Sequence, residues 1–242
     1  MTDITIATPA GTVPAYIARP AGEGPWPGVV IIHDALGLSR DTRNQADWLA
    51  GAGYISVAPD LFSRRGRMAS LVAIIRNVRA GKGQAFDDIE APRASLAKEP
   101  ECTGRVGVIG FCMGGGVALM LAPGHGFEAA SANYGNIPAH PQETLRPACP
   151  IVGSYGGKDR TLRGAARKLD RILTTLGIDH DVKEYPDAGH AFLNDHTGEK
   201  ASKVLAVVGR LMGGMGYHEP SALDARRRIL SFFDRHLKTG AS

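Results

Sequence analysis

The feature that most constrains this chain is an apolar run that ends in a turn flanked by glycines. Residues 105–111 read as a strand, Gly110-Phe111-Cys112-Met113-Gly114 forms a G-x-C-x-G turn, and 117–121 continue with helical character. A strand that turns into a helix across one residue forces that residue into a strained backbone conformation. Glycines are needed two positions to either side, where a Cβ would collide with neighbouring chain. Cys112 would project from this elbow at a helix N-terminus, where unpaired N–H groups and the helix dipole favour thiolate over thiol. The plainer fate of a lone cysteine is burial as a small hydrophobe. That suits Cys102 and Cys149, but it leaves Gly110 and Gly114 without a purpose.

Around the elbow the chain alternates strand and helix. Continuous apolar runs at 28–32, 54–58, 106–111 and 149–155 suit parallel strands buried on both faces. Further strands are expected near 129–134 and 181–185. Between them Leu162, Ala165, Ala166, Leu169, Ile172, Leu173 and Leu176 keep the spacing of one buried helix face, stopped by Gly177. Residues 223–237 read as a closing amphipathic helix. Residues 4–6 and 13–18 flank the Pro9-Ala10-Gly11 turn as an antiparallel hairpin at a sheet edge. The expected architecture is α/β, a mostly parallel doubly wound sheet. With no repeat, low-complexity tract or linker-like shift, residues 1–242 are expected to form one domain.

Composition removes several function classes. The 31 Gly and 15 Pro make the chain rich in turns, yet short of the roughly 25–30% that marks disorder. A net charge of +4 leaves little electrostatic footprint for nucleic acid. The densest basic cluster, Arg64, Arg65 and Arg67, reads as a solvated turn. Three cysteines without C-x-x-C spacing argue against both a disulfide framework and a zinc site, and fit a reducing compartment. The start lacks a basic region leading into an apolar one, and no run approaches the roughly 18 apolar residues that span a bilayer. A cytoplasmic protein without nucleic-acid or membrane partners is expected; the oligomeric state stays open, a monomer included.

A nucleophilic sulfur needs a proton partner, and the α/β-hydrolase order places an acid and then a histidine downstream. Asp159 follows the strand at 151–155, where a carboxylate at a strand's C-terminal end can reach the elbow. His190 follows the strand at 182–185. His33 lies upstream and reads as scaffolding, and Asp187 is more simply a turn former than a rival acid. The oxyanion hole would take the N–H after the nucleophile, Met113, and one from the loop after the third strand, Ala35 in His33-Asp34-Ala35-Leu36-Gly37-Leu38. Ser39-Arg40-Asp41 then lead into a helix. No metal or organic cofactor is required.

Together these motifs resemble the dienelactone hydrolase family, the carboxymethylenebutenolidase-like branch of the α/β-hydrolases. The residues that carry the resemblance are the 33–37 loop, Ala58-Pro59-Asp60-Leu61-Phe62, Gly110 to Gly115, Tyr134-Gly135, Gly157-Lys158-Asp159 and Gly189-His190-Ala191-Phe192. The resemblance implies an α/β-hydrolase fold, hydrolysis of an ester or lactone by a Cys112–His190–Asp159 triad, and a small-molecule substrate. Leu36, Tyr134, Phe192 and Asn194 are the expected pocket residues. In the family an acid on the oxyanion loop holds the resting thiol; the matching residue is Asp34, an aspartate where glutamate is usual, and a loop-stabilising role is the alternative. Asn194 stands where the family has an arginine that grips the substrate carboxylate, and Arg76 or Arg79 would have to supply that grip. The stretch 195–220, with Leu211-Met212-Gly213-Gly214-Met215-Gly216-Tyr217, is longer than the family's usual link and reads as a flap or as a packed surface loop. Two alternatives accompany the dienelactone hydrolase reading: a general carboxylesterase, and a non-catalytic scaffold that binds a ligand or senses redox state through its cysteine.

Overall fold

In a computed structural model the described residues are 1–197, 209 and 214–238, with Arg79 described by its backbone alone. Most of the 195–220 stretch therefore lies outside the described residues, as does the Arg79 side chain. Eight strands form one sheet: β1 (Thr2–Thr8), β2 (Gly11–Ala18), β3 (Trp26–Ile32), β4 (Ile55–Pro59), β5 (Cys102–Phe111), β6 (Ala130–Asn133), β7 (Ile151–Gly156) and β8 (His180–Tyr185). They lie side by side in the order β1-β2-β4-β3-β5-β6-β7-β8. The hairpin β1–β2 is antiparallel and joins β4 antiparallel, while every pairing from β4 to β8 is parallel. Six parallel strands therefore end on the same edge of the sheet, and the loops leaving that edge meet there.

The helices are α1 (Arg40–Gly51), α2 (Arg67–Ala80), α3 (Gln84–Leu96), α4 (Met113–Leu121), α5 (Pro141–Thr144), α6 (Ala165–Leu176) and α7 (Glu219–Phe233). They cover both faces, as the glycines of neighbouring strands make plain. A Cβ on Gly28 of β3 would sit 3.2 Å from Leu96 of α3 and 3.2 Å from Val106 of β5, whereas one on Gly107 would sit 2.8 Å from Leu237 beyond α7. Val106 and Gly107 are consecutive in β5, so they face opposite sides. The strands are apolar throughout because neither face meets water: Val29 to Ile32 are fully buried. No described helix is long and apolar enough to cross a membrane.

Two local expectations are corrected. Leu162 falls in a 3₁₀ turn, Arg160–Leu162, and α6 starts only at Ala165, because Gly164 at φ 73° breaks the helical run between them. Arg64 is not part of a solvated turn. Its guanidinium donates to Ala10 O at 2.8 Å, to Thr8 Oγ1 at 2.8 Å and to the buried Asp88 carboxylate at 3.2 Å, tying the hairpin to α3. A buried carboxylate needs such a partner. The expected stop at Gly177 is seen, with φ 67° at the C-cap of α6.

Candidate active site

The elbow is built by close backbone approach. Cys112 sits between β5 and α4 at φ 55°, a conformation that L residues rarely adopt. A Cβ on Gly110 would lie 1.9 Å from Gly114 O, and one on Gly114 would lie 2.3 Å from Ile32 O. The first turn of α4 thus rests on the end of β3 and the start of the 33–38 loop. That loop is itself braced by buried His33, whose Nδ1 donates to Asp34 O at 2.7 Å while Nε2 accepts from Leu61 N at 3.1 Å. Burial lowers the pKa of His33, in keeping with a neutral ring that serves as scaffold.

Asp159 and His190 are brought together by the same device. A Cβ on Gly156 would lie 2.3 Å from Gly189 O, and Lys158 N donates to Ala188 O at 2.9 Å. With the β7 and β8 loops pressed together, His190 Nδ1 lies 2.5 Å from Asp159 Oδ2 and His190 Nε2 lies 3.1 Å from Cys112 Sγ. The other Asp159 oxygen accepts from Thr161 N at 2.9 Å and Thr161 Oγ1 at 2.6 Å, so both oxygens are oriented. Thr161 is a residue that sequence reasoning passed over. Its signal is the Asp-x-Thr spacing of a capped turn. Asp187, the rival acid, is exposed and pairs loosely with Lys158 at 3.7 Å.

The electrostatics follow from burial and pairing. Burial alone works against a charged imidazole, but the Asp159 carboxylate and the Cys112 sulfur outweigh it, and His190 is pushed up to about 10. Burial would likewise raise Asp159, yet the hydrogen bonds from His190 and Thr161 win and hold its carboxyl below the usual range. The other cysteines differ: burial pushes the Cys149 thiol up to about 12 and raises that of Cys102 as well. No described group of three or more His, Cys, Asp and Glu is arranged to hold a metal ion.

The backbone N–H groups of Ala35 and Met113 enter no hydrogen bond among the described residues; Met113 follows Cys112 at the start of α4, and Ala35 lies on the loop that leaves β3 beside Gly114. Of the expected pocket residues, Leu36 is half-buried on the oxyanion loop, while Tyr134, Phe192 and Asn194 are buried. The Tyr134 ring lies 5.3 Å from that of His190 and 5.5 Å from that of Phe192. Asn194 has both ends of its amide engaged: Oδ1 accepts from the Tyr134 hydroxyl, and Nδ2 donates to Asp41 Oδ2 at 2.5 Å. No hydrogen bond between Asp34 and Cys112 is found among the described residues. The Asp34 oxygens accept from Leu36 N and His196 Nε2, each at 2.8 Å. Arg76 is exposed on α2.

The family model described as "Dienelactone hydrolase family" matches residues 13–237. A Yersinia pestis protein named "Putative carboxymethylenebutenolidase" is 27% identical over 251 residues, spanning 97% of this chain and 88% of its own. Among solved structures, a "Putative Dienelactone Hydrolase" from Klebsiella pneumoniae is 25% identical with a TM-score of 0.77, covering 97% of this chain and 98% of that one. A dienelactone hydrolase-like promiscuous phosphotriesterase from metagenomic libraries shares the fold at 20% identity and a TM-score of 0.76, over 98% of both chains.

Proposed function

The chain belongs to the dienelactone hydrolase family, whose members act on esters or lactones, and on that premise we propose that Cys112 is the nucleophile of a carboxylic ester or lactone hydrolase. The observation that carries this reading is the Cys112 Sγ to His190 Nε2 contact of 3.1 Å, with Asp159 on the far side of the same ring. The sulfur attacks the carbonyl carbon while His190, held in its charged form by Asp159 and the sulfur, carries the proton. The resulting oxyanion is met by the Ala35 and Met113 amides. Collapse of the tetrahedral adduct expels the alkoxide, which leaves with the proton from His190, and a thioester remains on Cys112. Water, deprotonated by His190, then attacks the thioester and releases the acid, which frees the sulfur and leaves the proton on His190 as at the start. Asp159 holds the ring in the tautomer these transfers need and offsets its positive charge.

Stoichiometric iodoacetamide tests the reading. Alkylation is expected on Cys112 with loss of hydrolysis, and to be much slower on Cys102 and Cys149, whose burial suppresses the thiolate. Peptide mass mapping reads the outcome. Equal labelling of all three, or full activity after Cys112 is labelled, would overturn it, and the second result would favour a non-catalytic or redox role for that cysteine.

The acyl group is the finer question. We place Leu36, Tyr134, Phe192 and Asn194 around it, with Asn194 acting as a strut for Tyr134 and not as a carboxylate grip. A charge-assisted pairing to carboxylate contributes about 1.5–3 kcal/mol when shielded from water. Without an arginine at 194, the KM for anionic dienelactone is expected to exceed that of a neutral lactone of similar size by about tenfold. Steady-state kinetics on both substrates checks this. A KM for dienelactone equal to or below that of the neutral lactone would place the grip on another cation.

A further inference from the structure

Between the oxyanion loop and the chain beyond His190 lies a lacing of side chains that the chemistry above does not use. Asp34 immediately precedes Ala35. Its Oδ1 accepts from Leu36 N at 2.8 Å, which closes a turn across Ala35, and its Oδ2 accepts from His196 Nε2 at 2.8 Å. Seven residues on, Asp41 does the same with the neighbouring residues: Oδ2 accepts from Asn194 Nδ2 at 2.5 Å and Oδ1 from Asp195 N at 2.8 Å. Arg40 completes the set by donating to Thr197 O. Four consecutive residues after the histidine loop, 194–197, are therefore tied to Asp34, Arg40 and Asp41 on the oxyanion side.

We infer that His196 is a positioning residue for hydrolysis, fixing the Ala35 amide through Asp34. The inference rests on the proposed role of Ala35 and Cys112. A carboxylate held by Leu36 N alone can swivel about its side-chain torsions and carry the turn with it. A second donor on the other oxygen removes that freedom, because both oxygens of the planar group are then specified. This matters for catalysis because an oxyanion donor works only within about 2.7–3.1 Å of where the charge develops, and a misplacement of about 1 Å costs on the order of a hundredfold. His196 has a second effect on charge. Burial holds the Tyr134 phenol, beside the His190 ring, well above its ordinary value, and negative charge on Asp41, Asp34 and Cys112 adds to this. Asp34 is thus electrostatically within the site, and a carboxylate left unpaired there would oppose a second negative charge on the oxyanion. The His196 N–H offsets it.

Three variants in the full chain test the assignment with one neutral ester. His196→Leu cannot donate, and is expected to lower kcat by about tenfold or more while KM moves less than about twofold, since the donor acts in the transition state. His196→Gln retains an N–H for Asp34 and is expected to keep kcat within about threefold of the parent. His196→Leu placed in an Asp34→Ala background is expected to cost less than about twofold more, because the path runs through Asp34. Melting temperatures accompany each variant. A His196→Leu kcat within twofold of the parent, an equal loss in His196→Gln, or a full additional loss in the Asp34→Ala background would each overturn the inference. If His196→Leu fails to fold, the Gln variant and the Asp34→Ala comparison made with it decide alone: a tenfold loss in His196→Gln that persists without Asp34 refutes the assignment. Iodoacetamide inactivation of the parent is the separate control, since its failure would remove Cys112 as nucleophile whatever the His196 variants do.

Discussion

Cys112→Ala is expected to lower kcat/KM for a small ester by at least about ten-thousandfold, because the variant lacks the group that forms the covalent intermediate in the proposed mechanism. The fold should survive. Alanine carries the same Cβ as cysteine, so the φ of 55° at the elbow is no more strained than before, and the glycine contacts that shape the turn are untouched. The proposed Ala35 and Met113 donors and His190 would remain, and are expected to leave a residual rate of about 10³-fold over buffer. Initial rates on a chromogenic ester, with the parent and a no-protein control side by side, measure both quantities. A Cys112→Ala protein that retains a tenth of the parent activity would mean that the nucleophile is another residue or an activated water.

His190→Gln is expected to cost about ten-thousandfold in kcat as well, since an amide can donate to Asp159 but can neither take a proton from the sulfur nor deliver one to the leaving group. The same variant has a signature in stability. His190 binds its proton more tightly folded than unfolded, being held up to about 10 by Asp159 and Cys112 against burial. Its contribution to stability is therefore fully present below the unfolded value of about 6.5 and is lost as pH rises through the folded value. Asp159 has the opposite sign: its folded value is lowered, so its contribution is present above about pH 4 and is lost as pH falls. The parent should exceed His190→Gln in melting temperature most clearly between about pH 4 and 6.5, with the gap narrowing toward alkaline pH. A gap that widens with rising pH would show that the imidazolium is not the species stabilised in the folded protein.

Much of the scaffold was legible from local pattern. Parallel strands buried on both faces must be apolar throughout, which made 28–32 and 106–111 stand out, and β3 and β5 lie there. The helix face from Ala165 to Leu176 repeats at helical spacing and is stopped by a glycine, and α6 has those limits. Where a break depended on one backbone torsion, as at Gly164, the pattern of side chains carried no sign of it. The Arg64 contacts were hidden for a different reason: its partners lie 54 and 56 residues upstream and 24 downstream, so charge clustering along the chain describes only its neighbours in sequence.

The site divides in the same way. Steric necessity wrote part of it into the sequence: only glycines let the elbow close on β3, so Cys112 could be chosen from the glycines beside it, while Asp159 and His190 were chosen from their places after strands and their order in the chain. The directions of the side chains on those loops were not written there. Asp34 turns to His196, 162 positions away, and Asn194 to Asp41, 153 positions away. A short polar side chain has several partners within reach, and which one it meets is set by how the loops leaving the parallel strands stack at the sheet edge. That stacking exists only once β3, β5, β7 and β8 are in register, and so the partners of Asp34 and Asn194 belong to the tertiary structure alone.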